Sequence, residues 1–153
     1  MSETLTIPVK PHRVKSRVVT PDDMDTVRRD AEILFDLCVN GAGKLFGFEA
    51  ACHAYMEGVA PLRFFVTKDK EIIINPVLIR ALKTTDMYKE VCGMFPLKGY
   101  GLGERARKIE VTYQTVKLNG ELGEPVTEGF KHEEAIIFQH MIDHMEGKSL
   151  WPV

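Results

Sequence analysis

The first half of the chain contains one stretch whose apolar residues repeat with the period of a helix. Thr20-Pro21-Asp22-Asp23 is typical of a helix start, with a hydroxyl side chain, then proline, then acids in the first turn. Apolar residues then recur at steps of three and four: Met24, Val27, Ala31, Leu34 and Cys38. The pattern predicts one amphipathic helix that ends at Asn40-Gly41, where both residues tolerate positive φ.

Later stretches follow the pattern of strands and of a second helix. Residues 63–67 and 71–79 are rich in Phe, Val and Ile, and Asp69-Lys70 is a plausible turn between these two predicted strands. Residues 108–118 alternate before Asn119-Gly120, which is a strong hairpin signal. Residues 131–146 return to a helical period, with Gly147 as the stop. Residues 1–19 read as an extended arm and the stretch opened by Gly41-Ala42-Gly43 as irregular, so we expect an α+β fold in one domain over residues 1–153.

Composition narrows the class of protein without identifying it. The chain has 153 residues, with 20 basic and 22 acidic side chains. This balance gives no basic surplus for nucleic acid, and no apolar run reaches the length of a membrane span. Three cysteines cannot all pair, and residues 1–9 contain no apolar stretch typical of a secretory signal. We therefore expect a soluble, cytoplasmic protein with no nucleic-acid or membrane partner; the oligomeric state is left open.

Two histidines at helical spacing are the strongest chemical feature. His140 and His144 lie four residues apart in the predicted second helix, so they share one face. Two neutral imidazoles in this arrangement can bind one divalent ion. The spacing alone is a weak signal, because one core histidine and one surface histidine would give the same pattern.

The order of three segments resembles the peptide deformylase family along nearly the whole chain. That family carries G-x-G-x-A-A-x-Q, then E-G-C-x-S, then Q-H-E-x-D-H. The matching segments here are G-A-G-K-L-F-G-F at residues 41–48, E-V-C-G-M at residues 90–94 and Q-H-M-I-D-H at residues 139–144. Asn75-Pro76 resembles an Asn-Pro pair at a strand end in the family. The resemblance implies a deformylase-like α+β fold, with antiparallel strands packed around the helix that carries both histidines.

The resemblance also implies a metal site. Cys92, His140 and His144 would hold one divalent ion, Fe²⁺ or Zn²⁺, with Ni²⁺ or Co²⁺ as further candidates, and would leave one coordination position open. Glu90, Gln139 and Asp143 are predicted to orient these ligands. For Asp143 the alternative is a solvated acid on the helix surface.

Two departures from the family change the expected chemistry. Met141 stands where the family has the glutamate that transfers protons, and a thioether cannot titrate in that role. Phe48 corresponds to the glutamine that donates to the developing oxyanion, and an aromatic ring offers no such donor. The backbone N–H of Gly93 could still donate there.

A third departure concerns the substrate pocket. The resemblance places Gly43, Phe48, Tyr88, Arg105, Ile136, Ile137 and Met141 around this pocket. Glu133 is two helical turns before His140, where the family has an apolar residue. One hypothesis has its carboxylate facing the cavity as a substitute proton carrier or as a site for a cationic group. The alternative is an acidic residue that stabilises the helix N-terminus.

Three functions remain open from the sequence. The first is a divergent metal-dependent hydrolase acting on a formamide or another small amide or acyl group, with a small-molecule or peptide-like substrate. The second is a metal-containing binding or regulatory protein without turnover. The third, a structural relic without metal, is disfavoured because Cys92, His140 and His144 are all present.

Overall fold

The computed structural model describes residues 15–40, 50–56, 58–82, 85–91 and 100–147. The chain forms a 3-10 turn at Pro21–Asp23 and then α1 (Met24–Asn40), β1 (Ala50–Cys52), β2 (Phe64–Thr67), β3 (Ile72–Ala81), β4 (Thr85–Val91), β5 (Tyr100–Ala106), β6 (Lys108–Gln114), β7 (Val126–Lys131) and α2 (His132–Met145). Five strands form one antiparallel sheet in the order β1-β2-β3-β6-β7, and β4 pairs with β5 in a second sheet. The predicted α+β class is confirmed.

Helix α1 begins where the sequence predicts. The backbone N–H of Thr20 donates to the Asp23 carboxylate at 2.8 Å, and the N–H of Asp23 donates back to the Thr20 carbonyl at 2.9 Å. These contacts satisfy backbone groups that a helix end otherwise leaves without partners. All five residues of the predicted apolar face are buried: Met24, Val27, Ala31, Leu34 and Cys38.

The five-stranded sheet lies between the two helices. Phe64 stacks on His53, which is bonded to Asp30 of α1, whereas its neighbour Phe65 makes an edge contact with Phe138 of α2. Successive residues of a strand point to opposite faces. Strand β2 therefore contributes one phenylalanine to each side of the sheet, which explains why residues 64–66 are buried without alternation.

Both predicted turns are present, each with a residue of positive φ. Lys70 has φ 64° between β2 and β3, where its N–H donates to the Thr67 carbonyl at 3.0 Å. Gly120 has φ 88° between β6 and β7. Strand β6 ends at Gln114, earlier than the predicted residue 118, because the connection is bulged: the N–H of Gly123 donates to the Thr115 carbonyl at 2.7 Å.

Asn75 forms an irregularity inside β3 rather than a strand end. Its φ is 53°, and the pairing of β3 with β6 shifts register between Ile74 and Val77. The Asn75 amide accepts from the N–H of Val19 at 2.8 Å and donates to its carbonyl at 2.9 Å. The bulge therefore fastens the segment before α1 to the middle of the sheet.

Three strands were not predicted, and β7 was implied only by the hairpin signal at Asn119-Gly120. Strand β1 has only three residues and lies in the stretch expected to be irregular. Strands β4 and β5 contain polar residues and glycines, such as Gly101 and Gly103, which weaken a strand pattern. Their pairing runs from Thr85 with Ala106 to Val91 with Tyr100. It therefore joins two segments that are not adjacent in the sequence.

Strand β7 passes into α2 without a loop. His132 has φ 58°, and its N–H donates to the Arg107 carbonyl at 3.1 Å. A single left-handed residue thus turns an extended chain into a helix. Gly147, with φ 80°, ends α2 as predicted, and its N–H donates to the His144 carbonyl at 3.0 Å.

Neither α1 nor α2, the two helices of the described residues, is long and apolar enough to cross a membrane.

The left-handed residue at the start of α2 predicts a side-chain dependence of stability. His132→Val should lower the free energy of unfolding by about 1–2 kcal/mol, because β-branched residues disfavour positive φ. His132→Gly should match or exceed the wild type, since glycine adopts this conformation freely. Urea unfolding measures both. Lys131→Val is the control, because Lys131 is exposed with an ordinary extended φ of −141°. Equal losses in His132→Val and Lys131→Val would contradict the argument.

The start of α1 predicts a pH dependence. Hydrogen bonds from Arg17 and Thr20 lower the pKa of Asp23 to about 2, against an ordinary value of 3.8. A carboxylate with a lowered pKa stabilises the fold above its unfolded-state pKa, and this stability disappears as pH falls through the folded-state value. Asp23→Asn should cost about 1 kcal/mol at neutral pH, a value kept small because Arg17 is 60% exposed.

Urea unfolding between about pH 7 and pH 2 tests this dependence. The difference between Asp23→Asn and wild type should shrink as pH falls from about 4 to about 2. The control is Asp22→Asn, at the exposed neighbour in the same turn. A difference for Asp23→Asn that stays constant over the whole range would refute the assignment.

Candidate metal centre

Helix α2 carries two buried imidazoles one turn apart. His140 is 8% exposed and His144 is 3% exposed. Their Nε2 atoms lie 3.0 Å apart, with ring centroids 4.9 Å apart. The structure thus brings the two histidines together as the spacing predicts, and both rings leave solvent with the apolar residues of the same helix.

The separation of the two nitrogens suits a shared cation. Two nitrogens bound to one tetrahedral zinc ion at about 2.0–2.1 Å lie roughly 3.3 Å apart, close to the observed 3.0 Å between Nε2 atoms. Without a cation, one neutral imidazole donates its hydrogen to the other. Among the described residues, no three His, Cys, Asp or Glu side chains form a metal-binding group. The predicted third ligand, Cys92, follows directly after the end of β4 at Val91.

Gln139, predicted to orient the ligands, pairs with the backbone of β5. Its Oε1 accepts from the N–H of Ala106 at 2.9 Å, and its Nε2 donates to the Ala106 carbonyl at 2.9 Å. The same Nε2 donates to the Ala135 carbonyl, also at 2.9 Å. The side-chain amide therefore binds β5 as a neighbouring strand would.

Asp143 forms an ion pair with Arg105 of β5. The Arg105 side chain is 7% exposed, and the Asp143 side chain is 36% exposed. Asp143 is therefore more than a solvated helix acid, since it neutralises a buried guanidinium. The described contact of Arg105 is inside the protein, and its place beside the substrate pocket stays a prediction.

Met141 lies between these groups and is 4% exposed. The position that carries the family's glutamate in the resembling motif is therefore a buried apolar side chain. Ile136 and Ile137, predicted for the pocket, are half-buried on the preceding turn. Their partial exposure is compatible with an apolar wall beside the imidazoles.

Glu133 does not face a closed cavity. Its side chain is exposed in the first turn of α2, beside Glu134. Seven residues of helix separate it from His140, about 10 Å along the axis. The exposure favours the alternative, because acids near a helix N-terminus interact favourably with the helix dipole, and a role of Glu133 in the cavity stays a prediction.

The far end of α2 is held by a second buried arginine. Arg63 donates to the Pro76 carbonyl and, at 2.8 Å, to the Glu146 carboxylate, which also lies 3.4 Å from Lys15. Burial raises the pKa of Glu146, but Arg63 and Lys15 outweigh this effect, so the net pKa is below its ordinary value. Glu146 therefore stays ionised and fixes the end of the helix to the sheet.

Several predicted site residues lie outside the described residues: Gly43, Phe48, Cys92 and Gly93. For Tyr88 and Glu90 the structure gives the backbone pairing. In the β4–β5 ladder, Tyr88 pairs with Gly103 and Glu90 with Gly101. Both positions are thus on the strand that leads to Cys92.

Comparisons with known proteins agree with the fold. The family model of the polypeptide deformylases matches residues 56–151, well over half of the chain. The chain belongs to the polypeptide deformylase family. The matched region includes all of α2 and the strand pair β4–β5.

Similar curated proteins and solved structures of similar fold are peptide deformylases. The chain is 35% identical to a peptide deformylase of Thermotoga neapolitana over 88 residues, which is 56% of this chain and 50% of that relative. The match therefore spans half the length of the relative. The crystal structure of a Thermotoga maritima peptide deformylase is similar with a TM-score of 0.74, at 24% identity, covering 96% of this chain and 95% of that one. A Plasmodium falciparum peptide deformylase complex with inhibitor gives a TM-score of 0.69 at 25% identity, covering 90% and 79% of the two chains.

A second register of the first motif is also compatible with the sequence, although both registers precede the family match at residues 56–151 and the second lacks the two glycines. Ala50-Ala51-Cys52-His53 also fits A-A-x-Q except at its last position. Ala50 and Ala51 are 6% and 0% exposed in β1, whose neighbour β2 packs on α2 through Phe65. The Ala-Ala pair, five residues after the position first compared, was the available signal for this register.

In this second register His53, rather than Phe48, takes the place of the glutamine. Its Nδ1 accepts from the N–H of Leu62 at 2.8 Å, which places the hydrogen on Nε2, 2.8 Å from the Asp30 carboxylate. His53 and Asp30 are 1% and 3% exposed. Both ring nitrogens of His53 are therefore bonded within the protein.

Proposed function

We propose that this chain is a metal-dependent amide hydrolase of the deformylase family with altered proton handling. His140, His144 and Cys92 would hold one divalent ion. The observation that carries the proposal is the pair of buried imidazoles with Nε2 atoms 3.0 Å apart. This separation is close to the distance between two imidazole nitrogens bound to one ion, which supports the proposal.

One thiolate and two imidazoles fit Fe²⁺ or Zn²⁺, and Ni²⁺ or Co²⁺ would be accepted by the same ligands. Three protein ligands leave a coordination position open, as catalytic sites require. When bound, the ion would act as a Lewis acid on an amide or acyl carbonyl and make a water molecule more acidic. Gln139 and Asp143 would hold the helix that presents the imidazoles.

The substrate class follows from the groups near the imidazoles. We infer a formamide or another small amide or acyl group, carried by a small molecule or a peptide. Ile136 and Ile137 offer apolar contact, and the backbone N–H of Gly93 could donate to the carbonyl oxygen. Glu133 is exposed, so we assign it no part in this pocket.

Met141 sets the limit on turnover. A thioether cannot accept or deliver a proton, and general acid–base catalysis typically contributes about 10²–10⁴ in rate. We therefore expect slow deformylation of ordinary N-formyl peptides.

A second candidate is a metal-containing binding or regulatory protein without turnover. Two observations favour it: Met141 is buried, and both nitrogens of His53 are bonded within the protein. A site that retains its metal ligands but has neither proton carrier nor side-chain amide donor would bind a carbonyl ligand and release it unchanged.

The metal proposal predicts a stoichiometric ion that depends on two histidines of α2. Elemental analysis of purified protein should find about one divalent ion per chain in the wild type and much less in His140→Ala and His144→Ala. His132→Asn is the matched control, because His132 is an exposed histidine on the same helix and asparagine tolerates its positive φ. Wild type without metal, or equal loss in His132→Asn, would end the proposal.

The acid–base argument predicts a gain of activity. Met141→Glu should raise the rate of N-formyl-Met peptide hydrolysis by about 10²-fold or more, because it supplies a proton carrier. Met141→Gln is the matched control, since it has a similar size and polarity but cannot titrate. Both variants are compared by initial rates on metal-loaded protein. A wild type as fast as ordinary enzymes, at about 10 per second, would contradict the proposal. If neither variant exceeded the wild type, the second candidate function would be favoured.

A further inference from the structure

Helix α2 has two neighbouring rows of polar side chains near the imidazoles. Gln139 and Asp143 are four residues apart, and His140 and His144 follow each of them by one position. One residue corresponds to a rotation of about 100° around a helix. The first row therefore lies beside the second along the same length of helix.

The first row binds a single dipeptide of β5. Gln139 makes two hydrogen bonds of 2.9 Å with the backbone of Ala106, and Asp143 forms an ion pair with the preceding Arg105. Ala106 and Arg105 are 4% and 6% exposed, so both contacts are shielded from water. We name these four residues the α2–β5 clamp.

The two contacts of the clamp resist rotation of the helix. A single contact would act as a pivot, whereas Gln139 and Asp143 are separated by one full turn, about 6 Å along the axis. An imidazole Nε2 atom is roughly 6 Å from the helix axis, so a rotation of 10° would move it by about 1 Å. Binding sites tolerate about 0.5 Å of such error.

The clamp also joins the two sheets. Strand β5 pairs with β4 and not with the five-stranded sheet, and β4 ends at Val91, directly before Cys92. Helix α2 packs on the five-stranded sheet through Phe138, which contacts Phe65. The clamp thus connects the strand pair that leads to Cys92 with the helix that carries both histidines.

We propose that Gln139 and Asp143 are positioning residues that set the rotation of α2, and thereby the direction of the His140 and His144 imidazoles, by binding Arg105 and Ala106. The expected effect on metal affinity rests on the proposed metal site. The expected effect on ring orientation does not, because the metal-free protein has the same two rings.

The first experiment examines the imidazoles without metal. Two-bond ¹H–¹⁵N spectra of the ring nitrogens are recorded for wild type, Gln139→Ala and Gln139→Glu. In Gln139→Ala the signals of His140 and His144 should shift or broaden, because a helix that can rotate brings both buried rings into new surroundings. Gln139→Glu keeps the acceptor for the Ala106 N–H but loses the donor to its carbonyl, so its signals should lie between the other two.

The matched control is Gln114→Ala. Gln114 is also half-buried, accepts from Asn75 at 2.9 Å and donates to the Gly123 carbonyl at 3.0 Å, but it belongs to β6. Its loss should lower the free energy of unfolding without changing the ring signals of His140 and His144. This control separates a positioning role from a general loss of stability.

The second experiment measures Co²⁺ affinity and the visible spectrum of bound Co²⁺ for the same variants. Gln139→Ala should weaken binding by about 10- to 100-fold and alter the spectrum, whereas Gln114→Ala should leave both unchanged. Ring signals and affinity equal to wild type in Gln139→Ala would overturn the inference. A wild type that binds no Co²⁺, together with shifted ring signals in Gln139→Ala, would refute the metal site while supporting the clamp.

Discussion

Two imidazoles buried on one helix are the constraint on which the arrangement around the site depends. Polar rings removed from water need partners, and His140 and His144 face each other across 3.0 Å. Their burial requires the helix to be held in one orientation, because rotation of α2 would turn both rings away from the buried side. The contacts of Gln139 and Asp143 with β5, and of Glu146 with Arg63, hold α2 along its length.

The same helix carries the proposed metal ligands and the residue that differs most from the family motif. His140, His144 and the contacts that hold their helix are present, whereas the buried Met141 stands where the motif has a glutamate. Binding a metal needs ligands in fixed directions, whereas turnover also needs a group that titrates near the working pH. A deformylase-family chain that has the candidate ligands but no titrating group at Met141 is consistent with slow or altered hydrolysis, or with carbonyl binding alone.

The hydrogen bonds of His53 also indicate altered chemistry. In the second register of the first motif, this ring occupies the position of an amide side chain, yet it lies between the Leu62 N–H and Asp30. Its Nδ1 must accept, so one tautomer is fixed by the backbone. The pair ties α1 to the turn after β1, which suggests that a residue at this position contributes to structure here rather than to chemistry.

The sequence by itself determined the two helices, the turns at Lys70 and Gly120, and the histidine pair, because these depend on residues within one turn of each other. It also determined that Met141 cannot carry protons, which is a property of the side chain alone. Strands β4 and β5, the bulge at Asn75 and the ion pair of Arg105 were decided by tertiary structure, since each needs partners far along the chain.

Glu133 shows the limit most clearly. Helical spacing placed it on the same side of α2 as His140, but spacing does not say where the sheet stops covering a helix. Only the tertiary structure decided that its first turn is open to solvent, because burial depends on which other elements pack there and not on the period of the helix.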